Sequence, residues 1–264
     1  MAQPLVSDEL WALIEPLIPK RQRRFRYPGR TPVNDRAVLA GIIFVLKTGI
    51  PWEDLPREMG CGCGMTCWRR LQQWNQQGVW QKLHEVLLAK LRRADRINWS
   101  RALIDSSSVR ATHRGTATGP SPIDRRKYGS KRHLLTDADG TVLSSRVTSA
   151  NTNDITQLKA LVESIPPVRG KRGRARRRPH RVQGDRGYDS DGHRAWLRHR
   201  GITPALAQRG RPHGSGLGRH RWPVERTHAW LNQFRKLRIR DEVRGDIYTA
   251  LLLLAVVLSN LKAM

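Results

Sequence analysis

Acidic residues are scarce in this chain: its 264 residues include 22 Asp and Glu against 49 Lys and Arg, a formal net charge of +27. That imbalance exceeds what solubility needs and points to a polyanionic partner, nucleic acid first. A membrane surface is the competing polyanion, but the basic residues run along the whole chain instead of gathering on one amphipathic helix, and no anchoring motif is present. Long apolar runs are missing too. The longest, "ALLLLAVVL" at 250–258, is about half the ~20 residues that a spanning helix needs, so a buried helix is expected there. "MAQPLVSDELW" has neither the basic start nor the apolar segment of a signal peptide, and a cytoplasmic location is expected. Cysteine is limited to Cys61, Cys63 and Cys67 in "CGCGMTCWRR", an odd number that argues against a disulfide framework. Without a second ligand pair at standard spacing, these three read as reduced thiols in a turn rather than a zinc site. Internal repeats and coiled-coil heptads are absent.

What is present begins as helix. In "SDELWALIEPLIP" a Ser cap and first-turn acids precede Leu10, Leu13, Ile14 and Leu17 at helical spacing. "NDRAVLAGIIFVLKTG" repeats the device, with Asn34 or Asp35 as cap and Gly49 as stop. Two further helices, "MTCWRRLQQWNQQG" and "VWQKLHEVLLAKLRR", part at Gly78. The first carries Arg69, Arg70, Gln72, Gln73, Asn75 and Gln76, residue types that reach phosphates and base edges from a groove-bound helix, as in a helix-turn-helix reader.

After Asn98 the pattern changes, which sets an expected boundary between a helical DNA-binding unit at 1–97 and an α/β unit at 98–264. "RALIDSSSVRAT" and "KRHLLTDADGTVLSSRVT" read as strands, the second folded at a turn that takes up Asp137 and Asp139. A helix capped by Asp154 follows. Then come an arginine-rich loop at 169–181, a strand at "HRVQG", a helix at "SDGHRAWLRHRG" and a strand at "ITPALAQ", and one long helix is expected over "RWPVERTHAWLNQFRKLRIR". Strands followed by alternating helices and strands imply a mixed sheet with helices packed on it. The arginine-rich loop is expected to track DNA backbone and to hold phosphates against the carboxylate that follows it; Lys127, Lys131 and Arg132 read as further phosphate contacts on the second strand.

Three acids stand apart. Asp105 follows the apolar "ALI", Asp185 follows "RVQG" at a strand's end, and Glu225 lies on the long helix, separated by 80 and then 40 residues. Phosphodiester chemistry uses hard oxygen ligands for two magnesium ions about 4 Å apart, and three convergent acids suffice. At about 100° per residue, Arg221, Glu225, His228, Asn232, Arg235 and Lys236 share one helix face, with Trp230, Phe234 and Leu237 opposite. The Ser run at 106–108 has no His beside it and is read as strand and turn chemistry.

"LIDSSSVRA", "RKYGSKRHLLTDADG", "ANTNDITQL", "PPVRGKRGR", "DRGYDSDGHR" and "GSGLGRHRWPVERTHAWLNQFRKLRIR" resemble, in order, segments of bacterial insertion-sequence transposases of the IS5 group, within the IS4-like DDE class. "LIEPLIP", "GIIFVLKTGIPWEDLP" and "RRLQQWNQQGVW" resemble the helical domain that precedes the catalytic one in that group. The resemblance implies an RNase H-like catalytic fold, a DDE triad at Asp105, Asp185 and Glu225, and two Mg2+ ions, with Mn2+ able to substitute. It implies water attack on each element end, then attack of the freed 3′-hydroxyl on target DNA. Double-stranded DNA, as terminal repeats and target, would be the partner of a homodimer or larger assembly in the bacterial cytoplasm at the nucleoid. Arg221 matches the signature Arg; the signature Tyr and Lys positions fall on Gly218 and Asn232, leaving Asn232, Arg235 or Lys236 to hold the DNA end and His228 to meet phosphate. A repressor without catalysis, or a nuclease that cuts without joining, are the alternatives.

Overall fold

Ser7 opens the first helix, α1 (Asp8–Ile14), by accepting the backbone N–H of Leu10 at 3.2 Å. This is a computed structural model, and it describes residues 4–20, 25–26, 29–208, 210 and 221–262. Asn34 caps α2 (Asp35–Thr48) through the N–H groups of Arg36 and Ala37, and the helix stops at Gly49, whose φ of 77° favours glycine. α3 (Gly64–Gln76) and α4 (Val79–Arg93) meet at Gly78 as expected. Around Gly41 on α2 the backbone passes so close to the thiols of Cys61 and Cys67 that a Cβ there would lie 2.9 and 2.8 Å, respectively, from their Sγ atoms. These two cysteines are core residues, and Cys63 is exposed.

The sheet follows: β1 (Ala102–Arg110), the two-residue β2 (Gly119–Pro120), β3 (Tyr128–Asp137), β4 (Val142–Ser149), β5 (Arg181–Gly184) and β6 (Thr203–Leu206). β3 lies antiparallel to both β1 and β4, whereas β5 is parallel to β1 and β6 to β5. The resulting order β4-β3-β1-β5-β6, with helices packed on it, is the mixed α/β sheet expected, in the RNase H-like arrangement. Asp137 closes the β3–β4 turn by accepting from the N–H groups of Asn98, Asp139 and Thr141 at 2.8 to 3.0 Å. Burial pushes its carboxyl up to about 6.

α5 (Leu158–Glu163), α6 (Asp191–His199), α7 (Trp222–Leu231), α8 (Arg235–Arg238) and α9 (Gly245–Leu261) complete the chain. The "ALLLLAVVL" segment lies within α9, which touches α3 and α4 as well as α7 and β4. One apolar core therefore runs from α1 to α9 without a break. Asn260 fastens the end of α9 to β4, accepting from the Val142 N–H at 3.0 Å and donating to its carbonyl at 3.1 Å. Among the described residues no helix is long and apolar enough to cross a membrane.

Two expectations are corrected. The helix after 221 is not continuous: α7 ends at Leu231 and α8 begins at Arg235. The break lets Phe234, Lys236 and Leu237 turn inward together against α2 and α9, which no single straight face could do. The segment after β4 starts with a 3-10 turn, Asp154–Gln157, that leads into α5, and its cap is Asn153, which accepts from the Ile155 N–H at 3.3 Å, so Asp154 is released for other contacts.

Candidate active site

β1 and β5 run parallel with Ala102 opposite Val182 and Leu103 opposite Gln183. The same offset carried two residues on sets Asp105 beside Asp185. Gly184 permits the close approach: a Cβ there would lie 2.7 Å from Ile104 Cγ2 and 3.2 Å from both Leu206 and Tyr188 carbons. Asp185 leaves the sheet immediately afterwards and accepts the Gly187 N–H at 2.8 Å, which fixes its side chain over a single 3-10 turn.

Arg221, at the start of α7, joins the two. One terminal nitrogen lies 3.0 Å from Asp105 Oδ1 and the other 3.9 Å from Asp185 Oδ2. Glu225 sits one turn further along α7, exposed, with its charge felt at Asp105. Burial pushes the Asp105 carboxyl up to about 6; Asp185 and Glu225 add to this, while Arg221 and the Ser106 N–H oppose it. Among the described residues no three His, Cys, Asp or Glu side chains are drawn tightly enough together to enclose a metal ion. The donor set nonetheless suits a hard divalent cation, since two carboxylates already share one cationic group and a third stands a helical turn away.

Behind Asp105 lies a buried basic layer. His228 Nε2 is 3.9 Å from Asp105 Oδ2, and burial with the nearby Arg132 and His133 charges pushes this imidazole down to about 3, so it is neutral. Arg132 is fully buried and donates to Ser107 Oγ at 3.1 Å and to Asn232 Oδ1 at 2.7 Å. Beside it, Asp154 accepts from Ser106 Oγ at 2.9 Å and pairs with Lys131 at 3.0 Å. The sequence held a clue to Asp154: Asn153 and Asp154 can both cap, but one helix start uses one of them.

These positions correct several expected DNA contacts. Arg70 is buried, paired with Asp35 and stacked on Trp74 at 5.7 Å. Arg132 and His228 are inside, and Lys236 is buried, 3.5 Å from Asp241. Lys131 is held by Asp154 and the Thr152 carbonyl. Arg70, Lys131 and Lys236 are drawn in because a carboxylate, carbonyl or ring nearby compensates their desolvation, whereas Arg132 keeps two guanidinium nitrogens and His228 both ring nitrogens without a hydrogen-bond partner among the described residues. Arg69, Lys127, Asn232 and Arg235 are exposed. Gly218 lies outside the described residues.

Residues 100–259 match the family described as "Transposase DDE domain". The chain belongs to this transposase family. Residues 6–84 also match "Putative transposase of IS4/5 family", which agrees with the IS4/IS5-like resemblance of the sequence. This transposase is 61% identical over 123 residues to "Insertion element IS402 uncharacterized 16.2 kDa protein" of Burkholderia cepacia, a match covering 46% of this chain and 84% of that one. It is 58% identical over 135 residues to "Putative transposase for insertion sequence element IS402" of the same organism, covering 51% of this chain but 64% of that relative, less than two thirds of its length. Among solved structures, "Mos1 transposase paired-end complex with left transposon end" aligns over 92% of this chain and 82% of that one at 12% identity. The TM-score of that alignment is 0.29.

Proposed function

We propose that this DNA transposase cuts phosphodiester bonds at the ends of an insertion sequence and joins the freed 3′-hydroxyl to target DNA, with Asp105, Asp185 and Glu225 as its catalytic carboxylates. The single observation that carries this reading is the register of β1 and β5, which sets Asp105 next to Asp185 under one guanidinium. Magnesium, or manganese in its place, would supply Lewis-acid stabilisation of the attacking and leaving oxygens when held by those three side chains. Arg221 fits a non-bridging phosphate oxygen, because its fork already spans the gap between the two aspartates. His228, neutral and buried, backs Asp105 and limits where its carboxylate can turn. Arg69, Lys127, Asn232 and Arg235 remain the candidates for contact with double-stranded DNA, the first of them on the helical unit at 1–97 and the others on the unit at 98–264. Since two element ends must be brought together, a dimer or larger assembly on DNA is expected.

Incubation of the protein with labelled element-end duplex and Mg2+ tests the reading. Cleavage and a strand-transfer product are expected from the wild type, and neither from Asp185→Asn. Several kcal/mol of charge stabilisation is at stake, roughly a thousandfold in rate. A mobility shift with no cleavage would leave a DNA-binding protein without catalysis, and cleavage with no joined product would leave a nuclease.

A further inference from the structure

The arginine-rich loop and the carboxylate that follows it stand at opposite ends of β5. The loop enters the strand at Arg181 and Asp185 leaves it, four residues later. At about 3.3 Å per residue the strand alone separates them by roughly 13 Å. The entry end is fixed by the His180 N–H donating to the Trp99 carbonyl and the Thr203 N–H donating to the His180 carbonyl, both at 2.9 Å, so the loop lies where β1, β5 and β6 begin.

The loop is held in place from several sides. Val168 and Arg176 exchange two backbone hydrogen bonds at 2.9 Å, and Arg176 stacks over Trp99 at 5.1 Å. Arg92 of α4 donates to the carbonyls of Val168 and Arg174, and Lys171 pairs with Asp95. Arg178 donates to the Arg200 carbonyl at the end of α6, and Arg200 itself pairs with Glu163. The two nearby acids are thus taken by Lys171 and Arg200. Arg169, Arg172, Arg174, Arg177 and Arg178 are exposed, with no carboxylate partner among the described residues.

We infer that this loop is a second phosphate-binding surface, one that grips duplex DNA away from the bond being cut. The inference rests on the transposase reading for the identity of the polyanion, and on the loop's position for its separation from the carboxylates. Two sources of duplex fit: the same element end further from its tip, or a separate duplex.

The test uses the full chain with Arg169, Arg172, Arg174 and Arg177 all changed to Ala, and the same four changed to Lys. All four side chains are exposed, and Lys171, Arg176 and Arg178, which anchor the loop, are kept. Duplex affinity is measured against salt concentration. The alanine variant is expected to lose about 3.6 units of the log–log slope, at about 0.9 per phosphate contact, while the lysine variant keeps it. If the loop grips the same duplex, the loss appears with the stoichiometry unchanged. If it grips a separate duplex, the affinity for the first is kept and the stoichiometry falls. An unchanged slope together with an unchanged stoichiometry overturns the proposal, and so does a loss confined to an RNA hairpin. A wild type that binds duplex with the full slope but never cuts would sink the catalytic reading and leave this one standing.

Discussion

Arg221 and Asp105 meet at 3.0 Å although 116 residues separate them, and both are less than a fifth exposed. The guanidinium is the main influence holding down a carboxyl that burial pushes up. In Arg221→Ala the Asp105 carboxyl should therefore titrate above its present value of about 6, as followed by carbon-13 NMR of the side chain. Stability to urea should drop by about 1 kcal/mol, the size of a hydrogen bond between partly buried groups. Arg221→Lys should restore part of the shift but not the link to Asp185, since an ammonium has no planar fork. An Asp105 titration that does not move in Arg221→Ala would refute the pairing.

The raised carboxyl of Asp105 gives opposite trends for folding and for chemistry. Its folded value of about 6 lies above the ordinary 3.8, so its contribution to stability is fully present below about 3.8 and is lost as the pH rises through about 6. Cleavage, which needs the carboxylate, should instead fall about tenfold per unit below pH 6. Asp105→Asn removes the buried charge, and thermal unfolding should show it raising the Tm relative to wild type at pH 8 but not at pH 4. An equal effect at both would contradict the assignment.

Asp154 ties the segment after β4 to Ser106, the neighbour of Asp105. Asp154→Asn keeps an acceptor for the Ser106 hydroxyl but abandons the charge of Lys131, whereas Asp154→Ala loses both. A loss of about 1 kcal/mol is expected for Asn and about 2 for Ala by urea unfolding. Cleavage should follow the same order through kcat, with KM for DNA unchanged. A KM effect alone would mean that Asp154 acts on DNA binding instead.

Gly184 is the residue that lets β5 lie close to β1. In Gly184→Ala the new methyl meets Ile104 and Tyr188, both in the core, and should cost about 1–3 kcal/mol as an overpacked site. Because the displacement falls one residue before Asp185, cleavage should drop further than duplex affinity does. Wild-type cleavage in this variant would show that the site tolerates a wider gap between the strands.

Much of this was legible in the sequence because the signals are local. Caps and stops such as Ser7, Asn34, Gly49 and Gly78 depend on a few neighbouring residues, and short strand-like runs located the strand that carries Asp105 and the one that Asp185 follows. What was hidden is pairwise and long-range. No periodicity could show that Arg70 finds Asp35, that Arg132 is capped by Ser107 and Asn232, or that Lys236 turns inward after a break at Asn232. Composition marked these residues as basic, and burial removed them from the DNA-facing set. The arginine loop was expected to hold phosphates against the carboxylate that follows it, but its distance from Asp185 depends on strand direction, which adjacency in sequence conceals.

α9 is packed by helices that precede the sheet and by the sheet itself, yet it spans residues 245–261. During synthesis the first 244 residues therefore emerge with the centre of their core still missing. The nascent chain has apolar surfaces on α3, α4 and β4 waiting for a partner that has not been made, and closure becomes possible only when α9 leaves the ribosome. A stop codon anywhere before the end of α9 would remove the wedge on which both halves rest. Such a product would be cleared as unfolded protein, not left as a DNA-binding fragment.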